Sequence, residues 1–203
     1  MTSLETLITK YNSDKNNYGY PKVYESIFRN FKDKPINLLE IGIGTMIPGA
    51  HSTMVHVYGE NGNYKPGASL RAFRDYFPNG NIYGGDVQLD CMFSEERINT
   101  LLFNSLVKEE CDNTLKDLQF DIIIDDGDHT NSSQEATFRN LWSRIKPGGY
   151  YFIEDVSEYG HDSFFYRWPE MMKDILEGVM CWDKPSTPWG GGPKLLVFAK
   201  HTL

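Results

Sequence analysis

Residues 120–129 read Phe-Asp-Ile-Ile-Ile-Asp-Asp-Gly-Asp-His, and this stretch carries the clearest strand signal in the sequence. The apolar run Ile122–Ile124 has the length of a buried strand, and the carboxylates Asp125 and Asp126 follow it directly. Helical spacing begins a few residues later, over residues 134–145. The stretch therefore predicts a strand, a short polar turn and a helix.

The same order recurs on both sides of this stretch. Apolar runs bounded by Gly, Pro or acidic residues predict further strands, and amphipathic segments predict helices between them. The predicted strands are 36–41, 81–86, 98–103, 150–155 and 194–200, and the predicted helices are 69–77, 134–145 and 170–177. This alternation favours an α/β fold with a doubly wound sheet, in which ligands bind at the carboxyl ends of the strands.

The remaining segments lie at the N-terminus and after the first predicted strand. Residues 1–34 form a predicted helical segment with two short helices, separated by the polar turn 12–17. Residues 45–66 hold two prolines and no sustained period, so we expect a lid or binding loop. With 203 residues, the chain is predicted to be one domain over 1–203.

The charge balance restricts the partners of this chain. Twenty Lys and Arg residues stand against 28 Asp and Glu residues, a formal net charge of −8, so we expect no nucleic-acid partner. The apolar stretches are too short to span a membrane, and no signal-peptide pattern is visible at the N-terminus. Cys91, Cys111 and Cys181 are odd in number and lack metal spacing. Reduced thiols in the cytoplasm are the simplest interpretation.

A glycine turn, Gly42-Ile43-Gly44, follows the first predicted strand, and Asp86 ends the second. Glycine lets the backbone approach a ligand closely, and an acid at this strand end can accept both hydroxyls of a ribose. No third glycine or immediate helix follows, so the turn departs from the dinucleotide fingerprint. The two features together favour an adenosine-type cofactor over a structural turn and a solvated acid.

Carboxylates also end two strands that should be neighbours in the sheet, Asp126 on one and Glu154 and Asp155 on the other. Carboxylates packed together repel each other unless a cation lies between them. Hard oxygen ligands without cysteine suit Mg²⁺, with Mn²⁺ or Ca²⁺ as alternatives. The sequence therefore predicts a metal site at these three residues, and a merely acidic sheet edge is the alternative.

His129 lies three residues after Asp126, on the turn before the predicted helix. Histidine exchanges a proton near neutral pH, so His129 is the predicted catalytic base. A helix-capping or metal-ligating histidine is the alternative. We interpret His51, His56 and His161 as loop residues.

Six short motifs carry a resemblance to a known family: residues 40–44 (EIGIG), 67–71 (GASLR), 77–86 (FPNGNIYGGD), 124–129 (IDDGDH), 146–149 (KPGG) and 153–155 (IED). They resemble the class I S-adenosylmethionine-dependent methyltransferases. Within that class they are most similar to the metal-dependent O-methyltransferases of macrolide sugars, the mycinamicin and macrocin type. The similarity covers about residues 13–155, and its most selective part is the pairing of Asp-Asp-Gly-x-His with Ile-Glu-Asp.

The resemblance implies a Rossmann-like methyltransferase sheet, mostly parallel with an antiparallel last strand, and helices on both faces. It implies S-adenosyl-L-methionine as cofactor, with the methionine end at Gly42 and Gly44 and the ribose at Asp86. Lys15 matches the lysine of an N-terminal Asp-Lys motif and would meet an anionic cofactor or substrate group. Asn104 lies where the family often has Gly-Asp-Gln at the adenine. The implied cofactor-binding residues are Lys15, Glu40, Gly42, Gly44, Ser69, Asp86, Asn104 and Asp125.

We therefore interpret the sequence as an O-methyltransferase that acts on a hydroxyl of a sugar or other small polar metabolite. Residues 45–66 and 159–189 would shape the acceptor pocket, with aromatic residues such as Tyr18, Tyr20 and Trp168 as candidates for its lining. The long loop and the aromatic N-terminus are candidate contacts of a homo-oligomer. The alternatives are a nucleotide-dependent oxidoreductase on the same fold and a non-catalytic cofactor-binding protein.

Overall fold

The computed structural model describes residues 2–156, 176–183 and 194–202. The described strands are β1 (Asn37–Ile41), β2 (Asn81–Asp86), β3 (Ser94–Glu95), β4 (Ile98–Leu102), β5 (Phe120–Asp125), β6 (Ile145–Val156), β7 (Leu176–Asp183) and β8 (Lys194–Lys200). They form one sheet in the order β3-β4-β2-β1-β5-β6-β8-β7.

Strand β1 lies inside the sheet and runs parallel to both neighbours, β2 and β5. Strand β4 continues the parallel pairing beyond β2, and β6 continues it beyond β5. Strand β8 pairs antiparallel with β6 and with β7. The predicted doubly wound, mostly parallel Rossmann-like sheet with an antiparallel last strand is confirmed. Its strand order reverses at β1, where such sheets bind ligands.

The strand register sets the acidic edge of the sheet. Ile41 of β1 pairs with Gly85 of β2 and with Asp125 of β5, and Asp125 pairs with Ile153 of β6. The residues that follow these positions therefore lie side by side. Acids at or near the ends of β1, β2, β5 and β6 thus lie along one edge, which we call the acidic edge: Glu40, Asp86, Asp125, Asp126, Glu154 and Asp155.

Helices cover both faces of the sheet because its strands alternate their side chains between two cores. Leu38 and Leu39, adjacent on β1, belong to opposite cores. The described α-helices are α1 (Leu4–Lys10), α2 (Lys15–Tyr18), α3 (Tyr20–Phe28), α4 (Val55–Tyr58), α5 (Ala68–Tyr76), α6 (Lys108–Leu115) and α7 (Asn131–Leu141). The first core contains residues of α1, α3 and α5, and the second contains residues of α6 and α7. None of these helices has the length and apolarity to cross a membrane.

Some local predictions differ from the structure in their boundaries. The predicted helix 134–145 is α7, which begins earlier because Thr130 caps it and accepts a hydrogen bond from the Ser133 amide. It also ends earlier, so that Ile145 already belongs to β6. The KPGG stretch, which precedes the predicted strand 150–155, lies within β6, where Gly148 has a φ of 76° and the register with β5 shifts.

The segments on either side of β1 also contain differences. The N-terminal segment has a third helix, α2, in the stretch predicted as a turn. Residues 45–66 are irregular apart from the single-turn helix α4, as expected for a long loop. Of the helix predicted over 170–177, residues 170–175 lie outside the described residues, and residues 176–177 begin strand β7, so the helix is wrong there. The predictions for His161, Trp168 and most of the segment 159–189 also lie outside the described residues.

Candidate active site

A cavity of about 330 Å³ opens at the acidic edge, between the turns that follow β1, β2, β4 and β5. Sites of this size are typical of small-molecule pockets. Most of the residues that the sequence nominates line it: Lys15, Gly42, Gly44, Ser69, Asp86, Asn104, Asp125, Asp126, His129 and Asp155. Glu40 and Glu154 do not belong to the lining and are almost fully buried behind it.

The turn after β1, at Gly42, packs directly against the turn after β5, at Asp126. Gly42 has a φ of 80°, and a Cβ added there would lie 2.1 Å from the carbonyl oxygen of Asp126. The amide of Asp126 also donates to the carbonyl of Ile41 at 2.9 Å. Glycine is therefore required at position 42 because the chain itself passes so closely.

Asp86 holds the other side of the same turn. Its Oδ2 accepts from the Ile43 amide at 3.0 Å and its Oδ1 accepts from the Gln88 amide at 2.9 Å. A carboxylate has further lone pairs, so both oxygens can still accept from a ligand. Asn104 faces the same cavity, and its Oδ1 already accepts from the Leu106 amide at 3.0 Å.

Ser69 and Glu40 form a buried pair in which the Ser69 hydroxyl donates to Glu40 Oε2 at 2.5 Å. Two predictions need correction here. The helix predicted to start at residue 69 is α5, which starts at Ala68 because the left-handed Gly67, with a φ of 77°, precedes it. Glu40 does not reach the cavity, because its carboxylate turns inward to Ser69 and Lys15.

Lys15 also differs from its predicted role. Its Nζ lies 3.0 Å from Glu40 Oε1, 2.7 Å from Asp126 Oδ2 and 2.6 Å from Glu154 Oε1. Its side chain is only 2% exposed. The lysine that the sequence assigns to an anionic cofactor or substrate group is instead paired with three carboxylates of the protein. We call Lys15, Glu40, Asp126 and Glu154 the inner cluster.

The inner cluster keeps Lys15 charged. Burial lowers the pKa of the Lys15 ammonium, but Asp126, Glu154 and Glu40 outweigh it and hold that pKa well above its usual value. Asp125, on the adjoining strand end, forms no ion pair within the part of the chain that the structure describes. Burial raises the pKa of Asp125 to about 8.

Two tyrosines of α3 support the carboxylates of β6, and the sequence analysis missed this role. Tyr20 donates to Asp155 Oδ1 at 2.5 Å, and Tyr24 donates to Glu154 Oε1. Tyr20, a candidate for the acceptor pocket, is therefore buried in the core beneath the site. Tyr20 and Tyr24 are four residues apart on one helix, and each has a hydroxyl at a core position. This sequence pattern could have identified them as partners of buried polar groups.

His129 lies on the outer side of Asp126. Its Nε2 is 3.9 Å from Asp126 Oδ1 and 4.0 Å from Asp155 Oδ2. His129 and Asp155 have φ values of 63° and 53°, a left-handed conformation that is uncommon for residues with side chains. We call Asp126, His129 and Asp155 the outer cluster.

The outer cluster has the donors that a divalent cation needs. Single ligand atoms of its three residues lie within 4.8 Å of one another and are partly exposed to the cavity. Glu154, the third predicted ligand, is buried behind the cavity, and its Oε1 accepts from both Lys15 and Tyr24. The carboxylates of Asp126 and Asp155 are oxygen ligands of the kind that suit Mg²⁺ or Mn²⁺. The residues present are therefore compatible with the predicted ion.

The long loop 45–66 is attached to the turn that carries the outer cluster. His51 Nδ1 lies 2.7 Å from Asp128 Oδ1, and the Ser52 hydroxyl donates to the Gly127 carbonyl at 2.8 Å. Hydrogen bonds from Ser133 hold the pKa of Asp128 below its usual range, and His51 adds to the effect. The loop thus forms one wall of the cavity.

Comparison with known proteins agrees with this geometry. No family model matches the chain. It is 33% identical over 162 residues to a tetracenomycin-C rhamnosyl 3'-O-methyltransferase of Streptomyces olivaceus, covering 75% of this chain and 36% of the relative. It is 34% identical over 134 residues to the mycinamicin VI 2''-O-methyltransferase of Micromonospora griseorubida, covering 66% of this chain and 30% of the relative.

Among solved structures, the MycE methyltransferase of mycinamycin biosynthesis, in complex with Mg and SAH, shares the fold. The TM-score is 0.75 at 22% identity, and the match covers 99% of this chain and 55% of that one. The resemblance to the class I S-adenosylmethionine-dependent methyltransferases is confirmed, since the chain has their fold and its curated relatives are O-methyltransferases. Within that class, its relatives are the sugar O-methyltransferases of the mycinamicin and macrocin type. The chain spans about a third of the length of the two curated relatives.

Proposed function

We propose that this chain transfers the methyl group of S-adenosylmethionine to a hydroxyl of a sugar-bearing small metabolite, with assistance from Mg²⁺. The observation that carries the proposal is that the outer cluster and the glycine turn with Asp86 line one cavity. The names of two curated relatives specify O-methylation of rhamnosyl tetracenomycin-C compounds, which suggests a sugar-bearing acceptor. A cytoplasmic location is part of the proposal, because the methyl donor is made inside cells.

The cofactor half of the proposal uses the turns after β1, β2 and β4. Asp86 would accept the ribose hydroxyls, and the turn Gly42–Gly44 would face the methionine end. Asn104 and Ser69 would lie farther along the same wall. Asp125, protonated at neutral pH because of its burial, can donate a hydrogen bond as well as accept one.

The metal half would use Asp126, Glu154 and Asp155 as ligands. When bound, Mg²⁺ supplies a positive charge that lowers the pKa of an acceptor hydroxyl. Tyr20 holds Asp155 in place, and Lys15 and Tyr24 hold Glu154. The ligands are therefore positioned before the ion arrives, which reduces the cost of ordering them.

His129 acts as the general base in this proposal. His129 lines the cavity, and its Nε2 lies 3.9 Å from Asp126 Oδ1 and 4.0 Å from Asp155 Oδ2, where it can take the acceptor's proton. The protein otherwise contributes alignment of the acceptor oxygen with the methyl group. Alignment of this kind is worth up to about 7–11 kcal/mol in favourable cases.

The proposal is tested by methyl transfer from labelled S-adenosylmethionine to a panel of rhamnosylated and deoxysugar-bearing acceptors, with EDTA and with Mg²⁺. We expect labelled product only with Mg²⁺, and thermal stabilisation by S-adenosylhomocysteine but not by NADH. Stabilisation by NADH alone would favour the oxidoreductase alternative. Cofactor binding with no product from any acceptor would favour the non-catalytic alternative.

A further inference from the structure

The inner cluster has the ligand arrangement of a second cation site. Single carboxylate oxygens of Glu40, Asp126 and Glu154 lie within 4.8 Å of one another, the spacing expected for ligands of one ion. The Lys15 ammonium lies among them, 2.6–3.0 Å from one oxygen of each. The ammonium donates hydrogen bonds to Asp126 and Glu154, and Glu40 Oε1 lies beside it as an ion pair without a hydrogen bond.

We propose that Lys15 is a resident cation that occupies the place of a second divalent ion and so keeps the site mononuclear. In this role Lys15 is a positioning residue: it holds Asp126 and Glu154 in the geometry that the exchangeable ion requires. The inference deepens the proposed function, since the exchangeable ion is the Mg²⁺ of that proposal.

The burial of the inner cluster explains why its cation is a lysine side chain rather than a metal ion from solvent. Lys15, Glu40 and Glu154 are each no more than 2% exposed, so a solvated ion would have to lose most of its water to enter. Three carboxylates and one ammonium still leave the cluster with a formal charge of −2. Without Lys15 the charge would be −3, and the carboxylates would either take up protons or recruit another cation.

The inner and outer clusters share the carboxylate of Asp126, and each contacts a different oxygen of it. Asp126 presents Oδ2 to Lys15 at 2.7 Å and Oδ1 to the side of His129, at 3.9 Å from Nε2. An ion in the outer cluster would therefore use the oxygen that Lys15 leaves free. Lys15 reaches this position from the N-terminal segment, 111 residues before Asp126, and joins α2 to the sheet edge.

The experiment compares the wild type with Lys15→Met, and with Lys10→Met as the matched control. Lys10 also forms an ion pair, with Asp75, but its side chain is 56% exposed. Mn²⁺ binding is counted from the free-ion signal in electron paramagnetic resonance, and thermal unfolding is followed in EDTA and in Mn²⁺. None of these readouts depends on methyl transfer.

We expect one Mn²⁺ per chain for the wild type and for Lys10→Met, and two for Lys15→Met. In EDTA the melting temperature of Lys15→Met should fall by about 6–20 °C, because a buried charge pair is broken. Mn²⁺ should raise it more than it raises that of the wild type. An unchanged stoichiometry together with a wild-type response to Mn²⁺ would overturn the proposal.

Two further outcomes are also decisive. If Lys15→Met is unfolded in EDTA, refolding by Mn²⁺ supports the inference, and failure to refold in Mn²⁺ contradicts it. If the wild type binds no Mn²⁺, the proposed metal dependence of the enzyme fails. Gain of one ion by Lys15→Met would still support the role of Lys15 in that case.

Discussion

The inner and outer clusters share Asp126 but differ in burial and in the cation that they suit. In the inner cluster, Lys15, Glu40 and Glu154 are no more than 2% exposed, whereas His129 and Asp155 of the outer cluster are 30% and 24% exposed. A buried group of carboxylates needs a permanent countercharge to fold. A partly exposed group can exchange its cation with solvent. The buried inner cluster therefore suits a permanent structural cation, and the partly exposed outer cluster suits an exchangeable one.

The supports of the two clusters differ in the same way. Side chains packed in the core fix the inner cluster, through Ser69 on Glu40 and Tyr24 on Glu154. The outer cluster instead contains two residues with left-handed backbone conformations, His129 and Asp155. Such strain persists only where the surrounding structure imposes it, and it is found frequently at functional sites. The outer cluster is therefore where we place the chemistry.

The largest expected effect concerns His129. If it is the general base, His129→Ala should lower kcat by 10²–10⁴-fold, about 3–5 kcal/mol of transition-state stabilisation, and leave Mn²⁺ and cofactor affinity unchanged. His56→Ala, an exposed histidine of the loop outside the cavity lining, is the matched control. Weaker Mn²⁺ binding by His129→Ala would instead make this histidine a metal ligand.

Asp126→Asn tests whether the clusters are coupled, since Asp126 belongs to both. We expect loss of most of the Mg²⁺ response and a fall in stability of about 3–5 kcal/mol, because Lys15 loses a buried partner. Asp155→Asn should lose the Mg²⁺ response at a smaller cost in stability. The free energy of unfolding of both variants is measured by chemical denaturation with and without Mg²⁺. Equal destabilisation by the two substitutions would contradict the division into two clusters.

The cofactor side of the cavity should respond independently of the metal side. Asp86→Ala should weaken S-adenosylmethionine binding by about 1.5–3 kcal/mol, because the ribose hydroxyls lose a charged acceptor. Isothermal titration calorimetry at fixed Mn²⁺ measures this change, and Mn²⁺ affinity should stay constant. Because Asp86 also holds the Ile43 and Gln88 amides, the melting temperature of the variant is the control. Unchanged cofactor affinity would remove Asp86 from this role.

The smallest effect is expected at Asp75, which forms surface ion pairs with Lys10 and Arg74 between α1 and α5. Its effect on stability provides a comparison for the buried inner cluster. Partial burial raises the pKa of Asp75, but hydrogen bonds from Tyr11, Lys10 and Arg74 outweigh it and lower that pKa to about 2. This stabilisation is present above the unfolded-state pKa of 3.8 and is lost as pH falls towards 2.

Asp75→Asn should therefore cost about 1–2 kcal/mol at pH 7, and the difference from wild type should shrink as pH falls from about 4 to 2. Urea unfolding at several pH values measures it, with Asp33→Asn as an exposed control for which no partner side chain is expected to change. A difference that persists at pH 2 would show that Asp75 acts through packing rather than charge.

Much of the architecture and of the outer cluster follows from the sequence. The alternation around Ile122–Ile124 predicts the doubly wound sheet, because apolar periodicity reports which residues must leave water. Acids at the ends of successive parallel strands must meet at one edge, so Asp126 and Asp155 could be brought together without coordinates. His129, three residues from Asp126, follows from the same local reasoning.

The tertiary structure alone decides the partners of the buried polar groups. Lys15 lies 111 residues from Asp126 and 139 residues from Glu154, and Tyr20 lies 135 residues from Asp155. Periodicity indicates that such a residue is buried, but not which charge or hydroxyl it meets. That choice depends on how the N-terminal helices pack over the carboxyl ends of β1, β5 and β6. For this reason the sequence predicts a ligand group as the partner of Lys15, whereas in the structure Lys15 pairs with three carboxylates of the protein.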